Sequence, residues 1–150
     1  MANNKGFTIR ERGRAAFGAL FLAGKEIPSN IIYTITAGAA NICNVKLQMS
    51  NKDGNPIAGL FNLALWLSDD AAGAGLCAAT ATGTVQAKAA SGTVLGAMTA
   101  KKSMDITTLV DGSFTLEITD TAKSLVYIAA NVPATGLAVV SRKLVTPDYG

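Results

Sequence analysis

Residues 42–50 read ICNVKLQMS, and this stretch decides the fold class. Val45, Leu47 and Met49 alternate with Asn44, Lys46, Gln48 and Ser50. A period of two puts the apolar side chains on one face of a β-strand and the polar ones on the other. The strand runs into Asn51-Lys52-Asp53-Gly54-Asn55-Pro56, where the Asp-Gly pair and the proline mark a tight turn. Residues 113–119 (SFTLEIT) repeat the arrangement: Phe114, Leu116 and Ile118 face one way, and Ser113, Thr115, Glu117 and Thr119 the other. A second Asp-Gly turn, Asp111-Gly112, stands in front of them. Clean alternation bounded by such turns argues for antiparallel sheets with one buried face.

The same signal continues outward. Residues 31–36 (IIYTIT) are β-branched and aromatic, and residues 60–68 (LFNLALWLS) set Leu63, Leu65 and Leu67 against Trp66. Further strands are predicted over 84–89 and 93–99, where the signal is weaker, and over 105–110, 125–131 and 136–141, with an Ala- and Gly-rich loop at 71–81 and a short tail at 142–150. Turn signals every 8–15 residues separate them. The pattern is that of an all-β protein: an antiparallel β-sandwich or barrel of about eight strands, jelly-roll or immunoglobulin-like. The exception is a short helix predicted over residues 15–26, ended by Ile27-Pro28-Ser29-Asn30. The chain thus divides into an N-terminal arm, 1–30, and a β-sandwich domain, 31–150, which is long enough to bury a sizeable core.

Charge separates the two parts. The arm carries Lys5, Arg10, Arg12, Arg14 and Lys25 against Glu11 and Glu26, so the chain's whole net charge of +3 sits there. The domain is neutral, with eight basic and eight acidic side chains. Charged residues make up only 15% of the chain, so much of the surface must be Ala, Gly, Thr, Ser and Asn, as in proteins covered by neighbours and in secreted β-proteins alike. In an extended segment Arg10, Arg12 and Arg14 share one side and can grip carboxylates of a partner bidentately. Phe17, Leu20, Phe21 and Leu22 supply apolar anchoring. The basic residues and the apolar run 15–24 resemble a leader peptide, but Glu11 interrupts the first and Gly18 weakens the second. The run is too short to cross a membrane.

The chemistry of most enzymes is excluded by composition. Histidine is absent, which removes His-based triads, general bases and metal ligands together. Two cysteines, Cys43 and Cys77, build neither a zinc site nor a disulfide framework and read as small buried hydrophobes. Gly73-Ala74-Gly75-Leu76-Cys77-Ala78 spells G-x-G-x-x-A, but the following residues are poor helix formers, so a dinucleotide loop is not expected. Adjacent Asp69 and Asp70 point to opposite faces of a strand and make no catalytic pair, although loop carbonyls joining them would suit calcium. Lys101-Lys102-Ser103 has no family spacing for a Ser-Lys nucleophile, and exposed lysines guarding a strand edge are expected instead. Trp66, Phe61, Tyr33 and Tyr127 read as packing residues, with a sugar platform at Trp66 and Tyr127 as the alternative. The expectation is a non-enzyme without cofactor, metal or small-molecule substrate.

Several segments carry a resemblance. Asp53-Gly54-Asn55-Pro56-Ile57-Ala58-Gly59, Leu65-Trp66-Leu67-Ser68-Asp69, Asp111-Gly112-Ser113-Phe114-Thr115-Leu116 and Ile118-Thr119 resemble small β-sandwich virion proteins of tailed bacteriophages, namely capsid decoration (cement) proteins and related head or tail ornaments. The resemblance implies a structural particle protein made in the host bacterial cytoplasm and carried in the virion. Its partners would be the major capsid protein and itself, as a homo-oligomer and often a trimer, with no membrane; packaged DNA is the less favoured alternative as the acidic surface that the arm meets. The family shares no site motif, so no residue role transfers; the contact residues expected here are Arg10, Arg12, Arg14, Phe17, Leu20, Phe21 and Leu22. A tail or head-fibre component and an immunoglobulin-like adhesion or carbohydrate-binding module are the alternatives.

Overall fold

The computed structural model describes residues 26–150. Nine strands follow one another: β1 (Asn30–Ala37), β2 (Ile42–Ser50), β3 (Asn62–Ser68), β4 (Val85–Ala87), β5 (Thr93–Thr99), β6 (Ser103–Thr107), β7 (Ser113–Thr119), β8 (Tyr127–Asn131) and β9 (Ala138–Val140), then a single 3-10 turn at Thr146–Asp148. They form two antiparallel sheets, ordered β1-β2-β7-β4 and β5-β6-β3-β8-β9. The protein is therefore a sandwich and not a closed barrel, with nine strands where about eight are predicted. The order β1-β2-β7-β4 against β9-β8-β3 is the A-B-E-D against G-F-C arrangement of immunoglobulin-type sandwiches, with the β5–β6 hairpin added beside β3.

The alternating residues fill the space between the sheets. Val45, Leu47 and Met49 of β2 and Phe114, Leu116 and Ile118 of β7 meet Leu63, Leu65 and Leu67 of β3 with Met104, Ile106 and Ile128, all buried. Burying each such side chain stabilises the fold by about 1.5–3 kcal/mol before chain entropy is charged against it. The polar members of the alternation are less exposed than the pattern predicts at three places: Asn44 and Ser50 of β2 and Ser113 of β7. Asn44 and Ser50 are buried on the outer face of β2, because the chain folds back over both ends of the strand. At one end Gly38 lies against the Asn44 amide, and at the other Pro56 bridges to Ser50.

Three further departures have physical causes. The strand predicted over 105–110 is observed at Ser103–Thr107, because Thr108 keeps only half of its ladder pairing: its N–H still donates to the Phe61 carbonyl at 3.0 Å, but its hydroxyl rather than its carbonyl accepts the Phe61 N–H at 2.9 Å and donates to the Gly59 carbonyl at 3.0 Å. Lys101 and Lys102 lie not along a strand edge but in the β5–β6 turn, where the Lys102 N–H donates to the Thr99 carbonyl and Lys101 adopts φ 59°. The tail 142–150 is packed rather than loose. Tyr149 is among the largest fully buried side chains, and its hydroxyl donates to the Ser124 carbonyl at 2.7 Å. Arg142 grips Asp148 with both terminal nitrogens, at 2.7 and 2.6 Å, so the tail plugs the end of the sandwich that carries the β1–β2 hairpin.

Candidate interaction surfaces

The expected contact residues Arg10, Arg12, Arg14, Phe17, Leu20, Phe21 and Leu22, and residues 15–25 of the predicted helix, lie outside the described residues. What the structure does place is the point where the arm meets the body. Glu26 lines a cleft of about 480 Å³ with Pro56, Ile57, Ala58, Gly59, Leu60 and Phe61. Its carboxylate accepts from the Asn51 side-chain amide at 2.9 Å. The cleft exists because two turns are sewn together beneath it: the Gly59 N–H donates to the Val110 carbonyl at 2.8 Å, and the Met49 N–H to the Gly112 carbonyl at 3.0 Å. Gly112 (φ +78°) is required there, since a Cβ at that position would collide with the Ile57 carbonyl oxygen.

This end of the sandwich is unusually apolar at its surface. Val110 is 74% exposed and Leu60 65%, and Ile27 and Leu109 are also exposed. Single exposed aliphatics are ordinary, but several at one end mark a surface that gains from being covered. The sequence pattern gives no hint of it, because Leu60 looks like the first residue of a strand and Val110 like the last of one. Both instead lie just outside the sheets, in the loops that carry the Asp-Gly turns.

The outer face of the five-stranded sheet is a second surface. Trp66 projects from β3 into a shallow cleft lined by Gly73, Gly75, Leu76, Met98 and Ser103. Its indole N–H already donates to the Gly73 carbonyl at 2.9 Å. Gly73 (φ +74°) is buried against Trp66, Ala129 and Val140, so the 70–76 loop lies over part of the face like a strap. The ring's polar handle is thus spent inside the protein, as in the packing reading of Trp66. Tyr127 carries the Lys143 ammonium 5.8 Å from its ring centroid and does not line the Trp66 cleft.

The polar side chains singled out in the sequence are occupied by the fold. Asp69 accepts from the Ala78 N–H at 2.7 Å and Asp70 from the Ala72 N–H at 2.6 Å, so both brace the Ala- and Gly-rich loop. Lys101 and Lys102 donate to the Ala81 and Ala78 carbonyls of that loop at 3.2 and 2.8 Å. The G-x-G-x-x-A segment leads into further loop, not a helix. No group of three His, Cys, Asp or Glu side chains among the described residues is arranged to hold a metal ion. Both cysteines are buried and unpaired; burial, with Asp148 nearby, pushes the Cys43 thiol up to about 11, and burial raises Cys77 as well.

Asp120 is a buried acid that the sequence pattern does not single out. It is fully buried, and accepts from the Thr82 N–H and hydroxyl, the Ala122 N–H and the Ser124 N–H, at 2.9–3.1 Å. Burial opposes its ionisation, but the hydrogen bonds from Ser124 and Thr82 outweigh it and hold the carboxyl well below the ordinary range. Every one of these donors is a loop group, so Asp120 ties Thr82 to the 120–124 segment. Compared with known proteins, the chain matches no family model, no curated protein and no solved structure.

Proposed function

We propose that this protein is a structural component of a phage particle: a capsid decoration protein that binds and stabilises the shell through its N-terminal arm. The observation that carries the reading is the division of charge. All of the net +3 lies in the first thirty residues, ahead of a domain with balanced charge. A basic arm on a neutral body is suited to docking on an acidic surface. The exposed Leu60, Val110 and Ile27 stand at the end from which the arm departs, so an apolar contact can accompany the ionic one. The resemblance of the Asp-Gly turn segments to virion ornaments supplies the setting. Many weak contacts per particle, repeated over a shell, give avidity without any single strong site.

Under this reading the major capsid protein is the partner, the protein is carried in the virion, and no substrate is turned over. The test is the ratio of this chain to the major capsid protein in purified particles, measured by quantitative mass spectrometry. Hundreds of copies per particle support shell decoration, and a few dozen or fewer move the protein to a tail or head fibre. Absence from particles overturns the reading and leaves the adhesion module to pursue. A full-length chain with Arg10→Ala, Arg12→Ala and Arg14→Ala together is expected to lose shell binding while its domain stays folded.

A further inference from the structure

Two sheets have four edges, and three of them are guarded. β4 and β9 are three residues long. β5 is broken by register shifts at Val94/Gly96 and Ala97/Thr99, which twist it out of line. Short strands and bulges are the usual devices that stop an edge from pairing with another chain. β1 has none of them. Its eight residues, NIIYTITA, hold no charge, proline or glycine, and pair with β2 in unbroken register from Asn30–Ser50 to Ala37–Cys43.

The ladder fixes which groups face outward. Gly38 donates to the Ile42 carbonyl at 2.7 Å, so the even-numbered residues exchange hydrogen bonds with β2. The odd-numbered Ile31, Tyr33, Ile35 and Ala37 therefore turn their backbone groups to the open side. Asn30 Oδ1 takes the Ile31 N–H at 2.8 Å. The N–H groups of Tyr33, Ile35 and Ala37 have no partner among the described residues. The outward side chains are Ile32, Thr34 and Thr36, all exposed.

We propose that β1 is a self-association edge, at which two copies of this chain pair β1 to β1, antiparallel, and join their four-stranded sheets into one of eight. A second copy is the occupant that fits, because the edge is complementary to itself. An antiparallel pairing about a two-fold axis at Thr34 sets Tyr33 opposite Ile35, Ile31 opposite Ala37, Ile32 opposite Thr36, and Thr34 opposite Thr34. Each unpartnered N–H then meets a carbonyl, and on the outer face the facing side chains, Ile32–Thr36 and Thr34–Thr34, are β-branched pairs that sheets favour. No like charges are brought together. The proposal does not rest on the virion reading and concerns the purified protein alone.

The experiment is sedimentation of the full-length protein with two charge variants at the axis. Wild type is expected to sediment at twice the 15.3 kDa chain mass. Thr34→Lys and Thr34→Glu each set like charges face to face across the axis, and each is expected to sediment as a monomer. Mixing the two variants is expected to restore the dimer, because opposite charges now meet. Monomeric wild type at all concentrations overturns the proposal. So does a dimer that survives in both variants, which would place the interface elsewhere. If either variant fails to fold by circular dichroism, Ala37→Pro removes an outward N–H at an exposed position without touching the β1–β2 ladder, and the same loss of dimer is required of it.

Discussion

The Tyr33 hydroxyl donates to the Val139 carbonyl at 2.8 Å, tying β1 of one sheet to β9 of the other. The bond closes the side of the sandwich on which both edge strands lie. Removing it with Tyr33→Phe leaves a partly buried carbonyl without that donor and keeps the ring packed. A loss of about 1 kcal/mol is expected, read as a lower urea midpoint with an unchanged slope.

The plug at the β1–β2 hairpin end should make a larger contribution. Tyr149 is 2% exposed, and its hydroxyl reaches Ser124. Tyr149→Phe removes only the hydrogen bond and should cost about 1 kcal/mol. Tyr149→Ala also empties the site of the ring and should cost about 3–5 kcal/mol. Equal losses in the two variants, measured by denaturant unfolding, would show that the ring contributes nothing.

Acid should unfold the protein through three carboxylates. Asp120, held by Ser124 and Thr82, Asp148, held by Arg142, and Asp111, held by Ser113, all titrate below their ordinary range in the folded chain. Because the folded values are depressed, their stabilisation is fully present above the unfolded-chain value of about 4 and is lost as pH falls through the folded values. Asp120→Asn puts an amide N–H or an oxygen against donors that all need an acceptor. It should cost about 1–3 kcal/mol at neutral pH, and the gap to wild type should narrow on acidification. A gap that is constant with pH in urea titrations would refute the assignment.

The two Asp-Gly turns should respond differently to the same change. Gly54 has φ +82° with nothing within 4 Å of a Cβ, whereas a Cβ at Gly112 (φ +78°) would collide with the Ile57 carbonyl oxygen. Gly54→Ala should cost only the left-handed penalty, about 1–2 kcal/mol. Gly112→Ala adds a clash with backbone and should lower the melting temperature well beyond that.

The body of the fold was legible wherever one face of a strand is buried. The alternation in 42–50 and 113–119 places Val45, Leu47, Phe114 and Leu116 in the core, where they are found. It fails where tertiary contacts overrule the local pattern. Thr108 looks like a strand residue, yet its hydroxyl holds the Gly59–Phe61 loop. Tyr149 stands two residues after a proline in a short tail, and only the open end of the sandwich explains why it is buried. The interaction surfaces are less legible still. Exposure of Leu60 and Val110 depends on where each strand stops, and the open edge of β1 depends on which strands fail to cover it. Neither is written in the residues themselves.

The strap over Trp66 also decides what a common optical measurement reads. The chain has one tryptophan, half-buried on the outer face of β3 with its indole N–H bonded to Gly73. Intrinsic emission therefore reports the seating of the 70–76 loop rather than the core between the sheets. If the strap lifts before the sheets part, emission will shift red at lower denaturant than the loss of the β-sheet circular dichroism band. In this protein a fluorescence midpoint is a property of the loop unless both probes agree.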